Sequence, residues 1–209
     1  MKSLGKNPLY NLAEFPEFDK IQPGCAVSAI KAHIEDAEKA VTELESNTDL
    51  TWDGHVIKRF NATQPLWRAW GIVSHLTSVS NNEEWRKVEE TLLPEIIKFS
   101  IRVSQSLPLY KSIETLRNSP HYDELDEGQQ RVIDRMLLDA KNSGVALVGE
   151  GKEKFNEYIN RLSVLSMNFT NNVLDATKEF SLWLRDKNDV KGLPGTLLNA
   201  CAQSARDSG

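Results

Sequence analysis

The sequence has no long apolar run free of charged residues, and this absence excludes a membrane-spanning helix. Its 8 prolines and 11 glycines are too few for a fibrous or low-complexity protein. Its first residues, MKSLGKNPLYNLAEFPEF, form neither an apolar leader nor an Arg-rich and Ser-rich transit pattern. With 209 residues, of which 40% are hydrophobic, we expect a globular chain with a core of its own.

Basic surface and paired cysteines are also scarce. The chain has 25 Lys and Arg against 30 Asp and Glu, which gives a net charge of -5 with no basic face, so we expect no binding to nucleic acid. The two cysteines, Cys25 and Cys201, lie far apart and form no C-x-x-C pair. We interpret them as reduced thiols in a reducing compartment.

Apolar residues recur at steps of three and four along most of the chain, which is typical of amphipathic helices. The first predicted helix runs from Cys25 to about Ser46. A second starts near Thr51, whose hydroxyl can cap it, and Pro65 predicts a kink or a restart there. A third helix is predicted for residues 82–106, with a bend at its internal proline.

The second half of the chain is predicted to hold three more helices. A short one covers residues 108–116, and a capping box of Asp126 and Gln129 starts the next, which ends near Gly144. The sixth and longest covers about residues 152–184 and would act as a spine of roughly 50 Å. No segment alternates with the period of a strand. The predicted fold class is therefore all-α, an elongated domain of about six main helices.

The predicted domain organisation is simple. Residues 1–23 read as an irregular N-terminal segment, because three prolines interrupt it, and its apolar side chains can lie against the body. Those side chains are Leu12, Phe15, Phe18 and Ile21. Residues 24–209 are predicted to form a single helical domain with no internal boundary.

The histidines do not match a zinc or catalytic pattern. None of the four, at positions 33, 55, 75 and 121, is followed four residues later by a second histidine, the spacing that brings two imidazoles onto zinc. His33 and His121 have acidic neighbours in sequence, and we interpret both as surface histidines, because no Ser or Cys nucleophile sits in a suitable turn. The sequence therefore predicts no catalytic, cofactor-binding or metal-binding residue.

Residues 144–152, GVALVGEGK, look like a phosphate-binding loop at first sight. Glu150 stands where that motif requires lysine, and the segment follows a helix where a strand is required. We interpret it as a helix C-cap and a loop.

Two further patterns also favour structural roles. Four tryptophans at helical spacing are expected to fill the core and not to form an aromatic cage. They are Trp52, Trp67, Trp70 and Trp85. Asn171 and Asn172 are poor helix formers, and we expect them to bond to a neighbouring loop.

One segment of the longest predicted helix resembles a family signature. Residues 168–177 read NFTNNVLDAT, which resembles the F-x-N-N-V-L-D-A-T helix in the N-terminal half of the oligopeptidase A and thimet oligopeptidase family of zinc metallopeptidases. Other family-like segments follow in the family's order along nearly the whole chain. They include Asn7-Pro8-Leu9, Thr51-Trp52, Arg68-Ala69-Trp70, Leu93-Pro94 and Gly192-Leu193-Pro194.

The resemblance implies a mostly helical, clam-like fold whose two halves face a narrow channel that admits short peptides. It places this chain in one channel wall, whereas the zinc helix and the glutamate base belong mainly to the later half. No catalytic residue carries over, because the chain has no His-Glu-x-x-His motif. Zinc is implied only for the missing catalytic half.

We therefore expect an N-terminal substrate-channel domain that is inactive alone, in the cytoplasm, with short peptides or a catalytic domain or subunit as its partners. The position of Asn7-Pro8 leaves no room for a presequence, and the end at Gly209 resembles a cut or a gene that stops early. The alternative is a stand-alone, non-enzymatic helical module that binds peptides or a partner protein. Such a module should carry polar replacements on the face that met the catalytic half.

Overall fold

The fold is built from helices alone over the residues described by this computed structural model, which are 4–10, 12 and 15–207. The predicted all-α class is confirmed. Eight α-helices lie within the described residues: α1 (Pro23–Glu45), α2 (Lys58–Val79), α3 (Glu83–Ser104), α4 (Leu107–Arg117), α5 (Pro120–Asp123), α6 (Glu127–Asn142), α7 (Gly149–Glu179) and α8 (Gly195–Asp207). None of the described helices is long and apolar enough to cross a membrane.

The backbone contacts divide the chain into two compact units. Unit 1 is Met1–Arg161 and unit 2 is Leu162–Gly209, so α7 begins in the first and ends in the second. A single domain over residues 24–209, without an internal boundary, stays a prediction.

Local side chains cap three of the helices of unit 1, α3, α4 and α6. The Oδ1 atom of Asn82 accepts from the Trp85 amide at 2.9 Å, and the hydroxyl of Ser106 accepts from the Leu109 amide at 3.3 Å. Asp126 starts α6 with the predicted capping box, since its carboxylate and the Gln129 side chain bond to each other's backbone amides. These caps satisfy amides that the first turn of a helix leaves without an intrahelical partner.

Of the two alternatives predicted at Pro65, the restart was wrong and the kink stays a prediction. Thr51 does cap the second helical run, because its hydroxyl accepts from the Gly54 amide at 3.0 Å, but the run opens with a π-helical turn, Trp52–Ile57. From there α2 continues without interruption, with Pro65 in its interior. The loss of one backbone hydrogen bond is outweighed by the packing of the residues that follow, since Leu66 and Ala69 are fully buried.

The main core of unit 1 lies where α1 packs against α2 and α3. Apolar side chains at three-four spacing on α1 and α3 belong to this core. Its fully buried members include Ile30, Val41, Leu66, Val73, Leu92 and Phe99. A second cluster joins α4, α5 and α6 to the π-helical turn, and includes Val56, Ile113, Leu116, Tyr122 and Ile133.

An ion cluster fastens the end of α3 to α1. The Arg102 guanidinium holds both oxygens of Glu45 at 2.8 and 2.9 Å and lies 2.8 Å from Glu38. Ser106 donates to Glu45 at 2.5 Å. The hydrogen bonds from Arg102 and Ser106 hold the pKa of Glu45 below its usual range, although partial burial opposes this.

The N-terminal segment lies against the core of unit 1 as predicted, but through only two of the four predicted side chains, Leu12 and Ile21, together with Leu9. Leu9 and Ile21 are buried and Leu12 packs on the core, whereas Phe15 is almost fully exposed and Phe18 is half-exposed. The Leu9 turn is anchored further by Asn7, which donates to the Cys25 carbonyl at 2.8 Å. Residues 1–3, 11, 13 and 14 of this segment lie outside the described residues.

The Asn47–Gly54 loop leaves no room for a side chain at Gly54. A Cβ there would overlap the Asp49 carboxylate. Thr51 donates to that carboxylate at 2.8 Å and holds it in place. Asn47 donates to the Gly54 carbonyl at 2.7 Å and holds the backbone of Gly54.

We therefore expect Gly54→Ala to lower the free energy of unfolding by about 1–3 kcal/mol, the usual cost of overpacking. Gly71→Ala in α2 is the matched control, because its Cβ would meet nothing within 4 Å. Alanine in an open helical position should raise stability by about 0.5–1 kcal/mol. Urea unfolding midpoints measure both changes, and equal midpoints for the two variants would contradict the clash.

Candidate functional surface

His33 is a buried structural histidine and not the surface residue that the sequence predicted. Its Nε2 atom donates to the Leu9 carbonyl at 2.9 Å, and its ring stacks on Tyr10 with centroids 4.9 Å apart. The Tyr10 hydroxyl in turn donates to Asp36 at 2.6 Å. His33 therefore links the N-terminal segment to α1, a contact between residues distant in sequence that spacing could not indicate.

The predicted surface position of His121 is confirmed, since it is exposed, with Nδ1 3.3 Å from the Glu124 carboxylate. His75, for which no position was predicted, is also exposed, and its ring centroid lies 5.8 Å from that of Phe18. Within the described ranges no three His, Cys, Asp or Glu side chains lie close enough to hold a metal ion. These side chains therefore do not fit zinc, and the absence of catalytic residues stays a prediction.

His55 is fully buried in the π-helical turn, and neither ring nitrogen has a hydrogen-bond partner among the described residues. The pKa of His55 is lowered to about 4, mainly by burial and secondly by the positive charge of Arg59, while Asp49 opposes the shift. A buried ring without partners is most stable when neutral. The helical spacing of the sequence gave no sign of this site.

The glycine-rich loop is a helix ending, as predicted. Gly144 has φ 81°, and the Val145 and Gly144 amides donate to the Ala140 and Lys141 carbonyls at 3.1 and 3.0 Å. These two bonds form a Schellman motif. Helix α7 then begins at Gly149.

Of the four tryptophans predicted to fill the core, Trp85 is buried as predicted, whereas Trp67 is 38% exposed and the prediction is wrong for it. Trp85 is buried in the main core, Trp70 packs against it, and Trp67 lies 5.9 Å from Phe99 between ring centroids. Trp52 belongs to the second cluster.

An exposed apolar surface lies on α7 in unit 2. Leu162, Leu165, Phe169 and Val173 recur at steps of three and four, and all are exposed, Phe169 by 70%. We call these four the α7 apolar face. Between Arg161 and Asp175 the helix has no charged residue. A contiguous apolar helix face of this kind marks an interaction surface.

Two expectations about the longest helix are corrected. The helix exists, but it ends at Glu179, five residues before the predicted end. None of its described side chains is buried. Asn171 and Asn172 make no side-chain hydrogen bond within the part of the chain that the structure describes, so the expected bonds to a loop are not found.

A second apolar feature of unit 2 follows the helix. Trp183, Leu193, Leu198 and Ala202 line a concavity of about 580 Å³, and the exposed thiol of Cys201 lies at its wall. Trp183 is 51% exposed. Unit 2 thus presents a helix face and a hollow that are both apolar.

Comparison with known proteins identifies the family. Residues 30–152 match the family model described as the N-terminal domain of neurolysin/thimet oligopeptidase. The chain belongs to this family. The resemblance on the α7 segment is confirmed as well, since the relatives below match almost the whole chain.

The relatives are much longer than this chain. It is 35% identical over 208 residues to organellar oligopeptidase A, chloroplastic/mitochondrial, of Arabidopsis thaliana, a match of 100% of this chain and 26% of that protein. A probable cytosolic oligopeptidase A of the same plant is 34% identical over 207 residues, 99% of this chain and 30% of that protein. Oligopeptidase A of Haemophilus influenzae is 33% identical over 203 residues, 97% of this chain and 30% of that protein. The chain therefore spans less than a third of the relatives' length and corresponds to their N-terminal part.

The buried His55 predicts how stability depends on pH. Its folded pKa lies below the unfolded value of 6.5, so below about pH 6.5 the unfolded state binds a proton that the folded state does not. The resulting loss should grow to about 3 kcal/mol as pH falls to about 4.

His55→Leu should remove this part of the pH dependence while leaving the carboxylates unchanged. Urea unfolding of both proteins between pH 7 and pH 4 gives the comparison. Parallel pH profiles would show that His55 is not neutral in the folded protein.

Proposed function

We propose that this chain is the helical, non-catalytic part of a peptidase of the oligopeptidase A kind, forming one wall of a channel for short peptides. The observation that carries the proposal is the uncharged α7 apolar face, on a chain that corresponds to the N-terminal part of the relatives. A surface of this kind is suited to be covered by further polypeptide. We propose that the catalytic part of the peptidase, which would hold the zinc, covers this face.

The same surface favours this proposal over a stand-alone module. A module that functions alone should have polar residues where the catalytic part would dock, since exposed apolar faces promote association. The α7 apolar face keeps leucine, phenylalanine and valine, and its neighbours between Arg161 and Asp175 carry no charge. Neither a charged rim nor a polar replacement interrupts it.

We also propose a cytoplasmic location. The probable cytosolic oligopeptidase A among the relatives supports this proposal. The organellar relative represents the competing location, in chloroplasts or mitochondria.

The chain alone should not hydrolyse peptides. The physical reason is the lack of a described cluster that could hold zinc and polarise a carbonyl or activate water. Hydrolysis of a mixture of short peptides, with and without added zinc, is followed by mass spectrometry. Robust zinc-dependent turnover by the purified chain would overturn this part of the proposal.

The docking role is tested with the probable cytosolic oligopeptidase A from which the matching N-terminal part has been removed. The chain should bind this remainder, and Phe169→Gln should weaken the binding by about tenfold, as loss of a central apolar contact does. Phe60→Gln in α2 is the matched control, because Phe60 is also a helical phenylalanine, 61% exposed, outside unit 2. Equal affinities for the two variants, or no binding of the unaltered chain, would contradict docking through α7.

A further inference from the structure

A small cavity in unit 1 combines a positive charge with apolar walls. It has a volume of about 300 Å³, at the lower end of the range for small-molecule sites, and lies against α2 and α6. Arg59 and Ser143 contribute polar groups, and Phe60, Val132 and Met136 contribute apolar surface. None of these residues belongs to the α7 apolar face.

Arg59 is the unusual member, because its charge has no partner. Five arginines of the described residues are half-buried, namely Arg59, Arg68, Arg86, Arg102 and Arg117. Arg102 and Arg117 pair with carboxylates at 2.8 and 2.6 Å, Arg86 donates to Asn81 at 2.8 Å, and Arg68 donates to the Leu12 carbonyl. Within the described ranges, Arg59 makes neither an ion pair nor a side-chain hydrogen bond. A partly buried guanidinium without a protein partner can pair with an anion that enters the cavity.

The groups around Arg59 favour the binding of an anion next to it. Burial lowers the pKa of Arg59, and its charge depresses the pKa of the neighbouring His55. The Asp139 carboxylate also lines the cavity, but it is engaged by Arg135 at 2.9 Å. Arg59 is thus a positive charge that no carboxylate among the described residues neutralises.

A second donor lies in the same cavity. The Ser143 backbone is fully used, since its amide donates to the Asp139 carbonyl at 2.8 Å and its carbonyl accepts from Gln105 at 2.9 Å. Its hydroxyl makes no hydrogen bond with any described residue. Thr63 also lines the cavity, and its hydroxyl donates to the Arg59 carbonyl at 3.1 Å, which leaves its oxygen able to accept. One cation and one free hydroxyl donor match the oxygens of a carboxylate.

We propose that this cavity binds the carboxylate of a small apolar ligand, with Arg59 pairing to the carboxylate, Ser143 donating to it, and Phe60 and Met136 contacting the apolar group. The chemical class that fits is an N-blocked apolar amino acid or the C-terminal residue of a short peptide. The choice of a peptide rests on the proposed function, whereas the carboxylate site rests on the cavity alone.

The test compares ligands that differ only in charge. N-acetyl-leucine and its uncharged analogue N-acetyl-leucinamide are titrated into the intact chain and followed by NMR. We expect the acid to bind at least about tenfold more tightly than the amide, since a charge-assisted bond to a guanidinium is lost with the amide. Equal binding of the two, or binding of neither at millimolar concentration, would overturn the proposal. Binding of inorganic phosphate in preference to N-acetyl-leucine would also overturn it, because the apolar walls would then contribute nothing.

Variants connect the binding to Arg59. Arg59→Gln should weaken binding of the acid by about tenfold and leave the amide unchanged, and Arg59→Lys should restore part of the difference, because lysine keeps the charge without the bidentate fork. Arg131→Gln is the control, since Arg131 is an exposed arginine of α6 that does not line the cavity. An acid affinity unchanged by Arg59→Gln would refute the assignment.

Two further measurements separate binding from folding and from the proposed function. Ser143→Ala removes a hydroxyl without a partner, so it should keep the fold and weaken only the acid by a few-fold, about the value of one hydrogen bond. An unchanged acid affinity in this variant would remove Ser143 from the site. Phe169→Gln should leave the affinity for N-acetyl-leucine unaltered, so loss of docking through α7 and loss of the carboxylate site are distinguishable. A weakened acid affinity in Phe169→Gln would count against a site confined to unit 1.

Discussion

The burial of the apolar stripe of α1 between α2 and α3 is the constraint on which unit 1 depends. Ala26, Ala29 and Ala37 are fully or almost fully buried, and small side chains at these positions let neighbouring helices approach closely. Two segments that are distant from α1 in sequence bind to its side chains. Arg102 at the end of α3 reaches Glu45, and the N-terminal segment docks through the bond from His33. Displacing α1 would remove both partners together.

Burial is distributed unevenly between the two units. Unit 1 has two apolar clusters, whereas no described residue of α7 or α8 is buried. An apolar helix without charge over the stretch from Arg161 to Asp175 is expensive to leave in water, and the relatives' greater length offers polypeptide to cover it. The Arg59 cavity is a different kind of surface. Its distinguishing feature is a charge without an ion-pair partner among the described residues, in a small and partly open cavity, which suits a small anion and not a covering domain.

Helix positions could be predicted well where local chemistry decides them. The caps at Asn82 and Asp126 and the positive φ of Gly144 involve residues within a few positions of each other, so the order of residues is enough to locate them. Pro65 shows the limit of local rules. Its ring removes one backbone bond, a penalty of about 3 kcal/mol, but the buried side chains that follow recover it through contacts with α1 that no local window contains. After Glu179 the apolar spacing continues to Leu184 although the helix ends, so the spacing predicted too long a helix.

The sequence by itself determined the helical class, most helix starts and the family, because periodicity, capping and short motifs are all written in neighbouring residues. Tertiary structure alone decided which histidine is bonded and which is orphaned. His33 finds its partner 24 residues away, whereas His55 is enclosed with none among the described residues. Tertiary structure also decided that Arg59 has no carboxylate partner among the described residues and that the side chains of the α7 apolar face are exposed. The physical reason is that pairing and burial depend on what long-range packing brings to a side chain, which residue spacing along one helix does not specify.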